Sequence, residues 1–181
     1  MPVKRMCTGL ALAALVAGAC APALALPAAA APGLTKAMER ALLRSRELWA
    51  TIDVCNPPSQ RHTVGVRGSM PGDRQPRDGM YMNFHLQYMS KSGSWQDIAG
   101  GADSGWELVG DGAAPRQGGT SFDLKPVAAG KPAQTLRGVV EFQWRRAGKV
   151  LLSTSMPTSA GHRSLAGADP ADYSAASCVI G

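Results

Sequence analysis

The chain has 181 residues, of which 45 % are hydrophobic, 18 % are charged and only 6 % are aromatic. A formal net charge of +6 is modest for this length and argues against a nucleic-acid-binding protein, which would carry a dense basic patch.

The first 31 residues have the organisation of a secretory signal peptide. Lys4 and Arg5 precede an apolar stretch from residue 10 to residue 19, and Ala23-Leu24-Ala25 offers a cleavage site. The apolar stretch is shorter than the roughly 20 residues of a membrane-spanning helix. Removing the leader leaves 17 basic and 13 acidic residues, a net charge of +4, in about 150 residues. We therefore expect an exported, single-domain protein without a transmembrane segment.

Cys20 leaves a second interpretation open, because a lipid-modified cysteine can begin a mature bacterial lipoprotein. The preceding Ala17-Gly18-Ala19 lacks the Leu that such proteins usually carry three positions upstream. Secretion is the prediction, and a lipid anchor on the cell surface through Cys20 is its alternative.

Two cysteines remain after the leader, Cys55 and Cys178. An even pair in an oxidising compartment predicts a disulfide. The bridge would close a loop of 123 residues and join the first strand to the last, for which chain entropy suggests about 4 to 5 kcal/mol.

The domain itself is predicted to begin near residue 48. Residues 32–47 contain good helix formers behind Thr35, an N-cap residue, and are predicted to form a short helix or a linker. Apolar residues then alternate from Leu48 to Cys55, which predicts a first strand and a β-sandwich domain over residues 48–181.

The next strand is predicted at Thr63–Ser69, where two glycines indicate a bulge or a close backbone approach. Residues 70–79 are rich in turn formers and are predicted to be an exposed loop. Strict alternation then predicts strands at residues 80–88 and 136–144, which we expect to pair centrally, with residues 149–156 returning as a hairpin.

Further short strands are predicted at Trp95–Ala99, Trp106–Val109, Thr120–Leu124 and Ser174–Ile180. About eight strands without interleaved helices indicate an all-β fold, an antiparallel sandwich of the immunoglobulin or fibronectin-III type. A jelly roll or a small barrel is the alternative.

Six short motifs are distributed along nearly the whole mature chain. They are Val64–Gly72, Met80–Met82, Ala102–Gly105, Leu136–Val140, Gly161–Ser164 and Ala168–Pro170, between Cys55 and Cys178. In this order the chain resembles a family of uncharacterised secreted proteins of actinobacteria. The resemblance implies export, the disulfide and a single domain, and it carries over no activity or catalytic residue.

The sequence contains no recognisable catalytic or metal-binding motif. Its three histidines, His62, His85 and His162, are far apart and belong to no His-Glu-x-x-His or His-x-His unit. Gly-x-Ser-x-Gly does not occur, although residues 68–72 look similar. We therefore predict no catalytic residue, no metal and no cofactor.

Candidate binding residues occur in loops and beside Gly-rich segments. His162, Arg163 and Asp169 belong to a long loop, and loops on a rigid sandwich often carry function. Trp95 and Trp106 adjoin polar, Gly-rich segments and could offer exposed platforms to a sugar or a protein. Loop anchoring and packing are the alternatives for these residues.

Basic residues are expected on the outer face and tip of the central hairpin. Arg137, Arg145, Arg146 and Lys149 would cluster there, either as a solvated charged surface or as a docking site for an anionic partner.

These observations predict a secreted or envelope-associated β-sandwich that acts without catalysis. Its partner would be an anionic cell-envelope polymer or an extracellular protein, or its role would be structural. The alternative is an extracellular hydrolase whose site assembles from loops around Ser69, His162 and Asp169.

Overall fold

The computed structural model describes residues 33–163 and 165–181, which form a mostly β-stranded unit. The predicted leader, including Cys20, lies outside the described residues. Within the described part of the chain, no helix combines the length and apolar character needed to cross a membrane.

The unit begins with a short helix, α1, Lys36–Leu43. Thr35 is its N-cap, as predicted, because the Thr35 hydroxyl accepts a hydrogen bond from the Met38 amide at 3.2 Å. Leu42 is buried and belongs to the main core. The helix therefore packs its apolar side on the domain.

The strands that follow α1 in the described residues carry the numbers β1 to β9. They are β1 Trp49–Cys55, β2 Thr63–Met70, β3 Gln75–Met89, β4 Trp95–Asp97, β5 Glu107–Gly112, β6 Arg116–Asp123, β7 Gln134–Arg146, β8 Lys149–Pro157 and β9 Cys178–Ile180.

These strands form two antiparallel sheets. The smaller sheet has the order β1-β2-β6. The larger has the order β4-β3-β7-β8, with β5 pairing along β3 and β9 along β7. The predicted central pair is confirmed, because β3 and β7 run in unbroken register from Asp78 opposite Arg146 to Tyr88 opposite Leu136. The predicted hairpin return of β8 is confirmed as well.

The two sheets pack against each other through their apolar faces. One parity of β3 and β7 is fully buried: Met80, Met82, Phe84, Leu86, Val140, Phe142 and Trp144. Gly68 and Gly138 let the sheets approach closely, since a Cβ on Gly138 would lie 2.7 Å from Val66 and one on Gly68 3.0 Å from Val140. The predicted close approach at the β2 glycines is thus observed at Gly68.

The predicted disulfide is confirmed. Cys55 at the end of β1 is bonded to Cys178 in β9, with the two Cα atoms 5.5 Å apart. Because β1 belongs to the smaller sheet and β9 pairs with β7, the bridge joins the two sheets covalently.

The prediction of an exposed loop at residues 70–79 is wrong for its acidic residues. β3 already begins at Gln75, and Asp73 and Asp78 are both buried, at 4 % and 0 % exposure. Asp78 can be buried because Arg146, 68 residues later in the chain, forms an ion pair with it and neutralises its charge inside the domain.

Candidate binding face

The outer side of the larger sheet carries a row of polar and aromatic side chains, which we call the open face. Its members have the parity opposite to the buried residues of β3 and β7: Tyr81, Asn83, His85, Gln87, Arg137, Val139, Glu141, Gln143 and Arg145, of which Val139 is apolar and 8 % exposed. Trp95 and Trp106 contact this row from beside β3.

At one end of the open face, an arginine contacts two aromatic rings. The guanidinium carbon of Arg145 lies 4.2 Å from the centroid of the Tyr81 ring and 4.8 Å from that of the Trp106 ring. Its Nε donates to Oε1 of Gln143 at 2.7 Å. Trp106 remains 38 % exposed. The structure thus holds Arg145 in place and leaves aromatic surface beside it accessible.

The same arrangement recurs at the other end of the face. The Arg137 guanidinium lies 4.5 Å from the Trp95 ring centroid, and its Nε donates to Oε1 of Gln87 at 2.8 Å. Gln87 in turn donates to the Asp97 carboxylate at 2.8 Å. Each end therefore presents a unit of Gln, Arg and Trp.

The centre of the open face is polar and partly buried. Asn83 donates to the Glu141 carboxylate at 3.2 Å, and the Asn83 side-chain oxygen accepts from Ser104. His85 Nε2 lies 3.7 Å from Asp97 Oδ1. The centre thus combines amide and carboxylate groups, in contrast to the arginine at each end.

A shallow depression of about 440 Å³ adjoins Arg145 near the turn between β7 and β8. Tyr81, Leu108 and Arg145 line it together with Arg77 and two acids, Asp78 and Asp111, which form ion pairs with Arg146 and Arg116. Leu108 is 63 % exposed. This end of the face therefore has a partly apolar concavity whose lining carries both positive and negative charge.

Arg146 does not lie on the outer face, so the prediction that it clusters there with Arg145 is wrong. It has the same parity as buried Trp144, and its Nε and Nη2 donate to the two oxygens of Asp78, each at 2.6 Å. Lys149 is exposed at the start of β8, as expected for the tip of the hairpin.

The buried acids near Arg146 have opposite pKa shifts. Hydrogen bonding by Arg146 lowers the pKa of the Asp78 carboxyl. Burial, together with neighbouring Asp78, raises the pKa of Asp73 to about 6. One oxygen of Asp73, Oδ2, is buried without a hydrogen bond from the described residues, which disfavours its ionised form.

The loop candidates are anchored on the other side of the domain. His162 stacks on Trp49 with ring centroids 4.3 Å apart, and its Nε2 lies 3.1 Å from the Ser159 hydroxyl oxygen. Burial lowers the pKa of the His162 imidazole. Asp169 accepts from Ser59 and from Gln60.

The residues named for a hydrolase are not hydrogen-bonded to one another in the described chain. His162 and Asp169 have the other partners just given, and Ser69 lies inside β2 with a fully buried hydroxyl that has no partner among the described residues. Arg163 is exposed in the loop. Within residues 33–163 and 165–181, no three His, Cys, Asp or Glu side chains gather as a metal site.

Gln87 and Gln143 were missed as site residues by sequence reasoning. Each lies on the outer parity of its strand, so the pattern placed it on the correct face. Gln87 faces Arg137 across the β3–β7 ladder, and that partnership can be seen only once the register is known.

Comparison of the chain with protein-family models, curated proteins and solved structures finds no match. The chemistry of the open face is therefore inferred from its own residues.

Proposed function

We propose that this chain is an exported sandwich of the immunoglobulin or fibronectin-III type that binds an extracellular polymer, without catalysis, on its open face. The strand order supports the fold type. In the seven-strand immunoglobulin type, the first, second, fourth and fifth strands form one sheet, and the third, sixth and seventh form the other. Here β1-β2-β6 faces a sheet that contains β3-β7-β8, which agrees with this order, whereas β4 departs from it by lying in the larger sheet, beside β3.

Export is supported by the leader pattern of residues 1–31 and by the disulfide, since disulfides persist in oxidising compartments. The resemblance to secreted proteins of actinobacteria agrees with this proposal. Attachment through a lipid on Cys20 would keep the same domain at the cell surface.

The observation that carries the binding proposal is the repeated unit of Gln, Arg and Trp on one sheet face. Arg137 with Trp95, and Arg145 with Trp106, each combine a cation with aromatic surface. Aromatic and arginine side chains dominate binding energy at recognition surfaces. A polymer laid across this face would contact an aromatic ring at each end and amide groups between them.

The test is a binding screen of the purified protein against cell-envelope polysaccharides and extracellular polymers. The double variant Trp95→Ala/Trp106→Ala should lose most of the affinity for any polymer that the native protein binds. Leu43→Ala is the control, because Leu43 is 43 % exposed on α1 and does not belong to the open face. Undiminished binding by the folded double variant would contradict the proposal.

A further inference from the structure

We infer that the ligand of the open face is an acidic polysaccharide whose carboxylate groups bind Arg145 and Arg137. This inference rests on the proposed function and specifies its substrate class. Two observations support it: the hydrogen bonds that the two arginines make, and the guanidinium N–H groups that these bonds do not use.

Arg137 and Arg145 have no acidic partner among the described residues, unlike three other arginines of the strands. Arg67, Arg116 and Arg146 form ion pairs with Asp53, Asp111 and Asp78. In the described chain, by contrast, Arg137 and Arg145 use only Nε, toward Gln87 and Gln143. No carboxylate there contacts their Nη atoms, so each retains donors for a ligand.

Both guanidinium groups are also held in a fixed orientation. A glutamine oxygen binds one edge through Nε, while an aromatic ring lies against the plane. A guanidinium can donate two parallel hydrogen bonds to a carboxylate, and fixing it in advance lowers the entropy lost on binding. The geometry therefore suits a planar acidic group that approaches from solvent.

The aromatic neighbours point to a sugar as the carrier of that acidic group. A sugar ring has a C–H face that packs on an aromatic ring and hydroxyl groups that hydrogen-bond to amides. Trp106 is exposed beside Arg145. The depression of about 440 Å³ that Arg145 lines has room for a group larger than a single carboxylate. Ring stacking and acid recognition can thus occur on adjacent units of one chain.

The separation of the two arginines predicts a long ligand. Arg137 and Arg145 lie on the same face of β7, eight positions apart, and β7 pairs with β3 in unbroken register over this span. At about 3.4 Å per residue, they are roughly 27 Å apart along the strand. A chain that spans both arginines gains from two linked contacts, whereas a short oligomer can occupy only one.

Glu141 lies on the same strand, midway between the two arginines, and its carboxylate repels negatively charged groups of a ligand at the centre of the face. The acidic units of the ligand should therefore be bound at the two ends.

The experiment is calorimetric titration of the purified protein with polygalacturonate, with the same polymer after reduction of its carboxylates to alcohols, and with an oligogalacturonate length series. Polyglycerol phosphate is titrated as well, to test whether the face prefers phosphodiester groups to carboxylates. Arg145→Gln and Arg137→Gln are the test variants, and Arg61→Gln, an exposed arginine at the turn before β2, is the matched control. Thermal unfolding checks that each variant is folded.

We expect polygalacturonate to bind about tenfold or more tightly than the reduced polymer. Each test variant should lose about tenfold in affinity for long chains, and Arg61→Gln should bind like the native protein. Affinity should rise sharply once the oligomer can span roughly 27 Å.

Equal binding of the acidic and reduced polymers, full binding by Arg145→Gln, or preference for polyglycerol phosphate would overturn the inference. If a neutral polymer binds and Trp95→Ala/Trp106→Ala abolishes that binding, the proposed function stands and only the acidic ligand is wrong. If no polymer in the screen binds the open face, the proposed function fails.

Discussion

The two outer faces of the sandwich are used differently. On the smaller sheet, residues of the segments 158–163 and 165–177 pair with the free edge of β1, where Ile52 exchanges backbone hydrogen bonds with Ala175 and Asp53 accepts from the Asp169 amide. Side chains of the same segments contact Trp49 and Thr51. We call this side the covered face.

The open face is covered at its centre, where Asn83 is 7 % exposed and accepts a hydrogen bond from Ser104, but its ends are more open. Thr51 and Asp53 on the covered face are buried at 0 % and 3 % exposure, whereas Trp106 on the open face keeps 38 %. Polar groups of the covered face find partners within the domain: Thr51 with Ser174 and Asp53 with Arg67. On the open face, Asn83 and Gln87 also have partners within the domain, whereas Arg137 and Arg145 retain donors for a ligand.

The disulfide should give the largest effect on stability. Replacing both cysteines, Cys55→Ser/Cys178→Ser, removes a bridge over 123 residues and should lower the free energy of unfolding by about 2 to 5 kcal/mol. Urea unfolding with and without a reducing agent measures this loss. Binding on the open face should persist wherever the variant remains folded; a loss below about 1 kcal/mol would contradict the expectation.

Asp73, buried at the end of the core, should make stability depend on pH. Its pKa rises from 3.8 to about 6 on folding, so between these values the folded state binds the extra proton. Stability from this group is complete below about pH 4 and is lost as the pH rises through 6, by up to about 3 kcal/mol.

The check is the difference in unfolding free energy between Asp73→Asn and the native protein at several pH values. Asn cannot titrate, so the variant should gain relative to the native protein from pH 4 to pH 7. His162 has a lowered pKa, so acid destabilises the folded state through this residue and acts against the effect of Asp73. Both proteins contain His162, so its contribution cancels in the difference. Asp97→Asn, at a 74 % exposed carboxylate, is the control, and equal profiles for both variants would rule out the assignment.

A smaller loss is expected from a single hydroxyl of the covered face. Thr51→Val preserves shape but removes the 2.8 Å hydrogen bond to Ser174, which should cost about 1 to 2 kcal/mol. Thr120→Val, at a half-buried threonine on β6, is the matched control and should change stability less. Chemical denaturation of the pair measures the difference, and equal losses would mean that the cover contributes little.

The smallest effect is expected at the centre of the open face. Glu141→Gln removes a negative charge but keeps an acceptor for Asn83, so stability should hardly change. Affinity for an acidic polymer should rise about twofold, and less at high salt. Titrations at two ionic strengths test this, and unchanged or weaker binding would contradict the expectation that Glu141 repels the ligand.

The alternation of apolar residues was enough to predict most strands and their central pairing. The cysteine pair predicted the disulfide, because only two cysteines follow the leader. These features depend on local pattern or on counting, so no knowledge of register was needed.

Features that depend on distant partners were not predictable. Asp78 looked like a turn residue because nothing nearby indicates that Arg146 neutralises it inside the domain. The burial of Thr51 and Asp53 could not be predicted from their strand, because the residues that cover them lie more than 100 positions later. The units of Gln, Arg and Trp likewise required the β3–β7 register and the positions of the segments beside β3.

Mapping the NMR chemical-shift changes of the backbone amides during titration with polygalacturonate tests most directly which face binds the polymer. The proposal predicts that the perturbed amides belong to the open face, around Tyr81, Gln87, Arg137 and Arg145, with the covered face around Thr51 and His162 unchanged. Perturbations confined to β1 and residues 158–177 would contradict it.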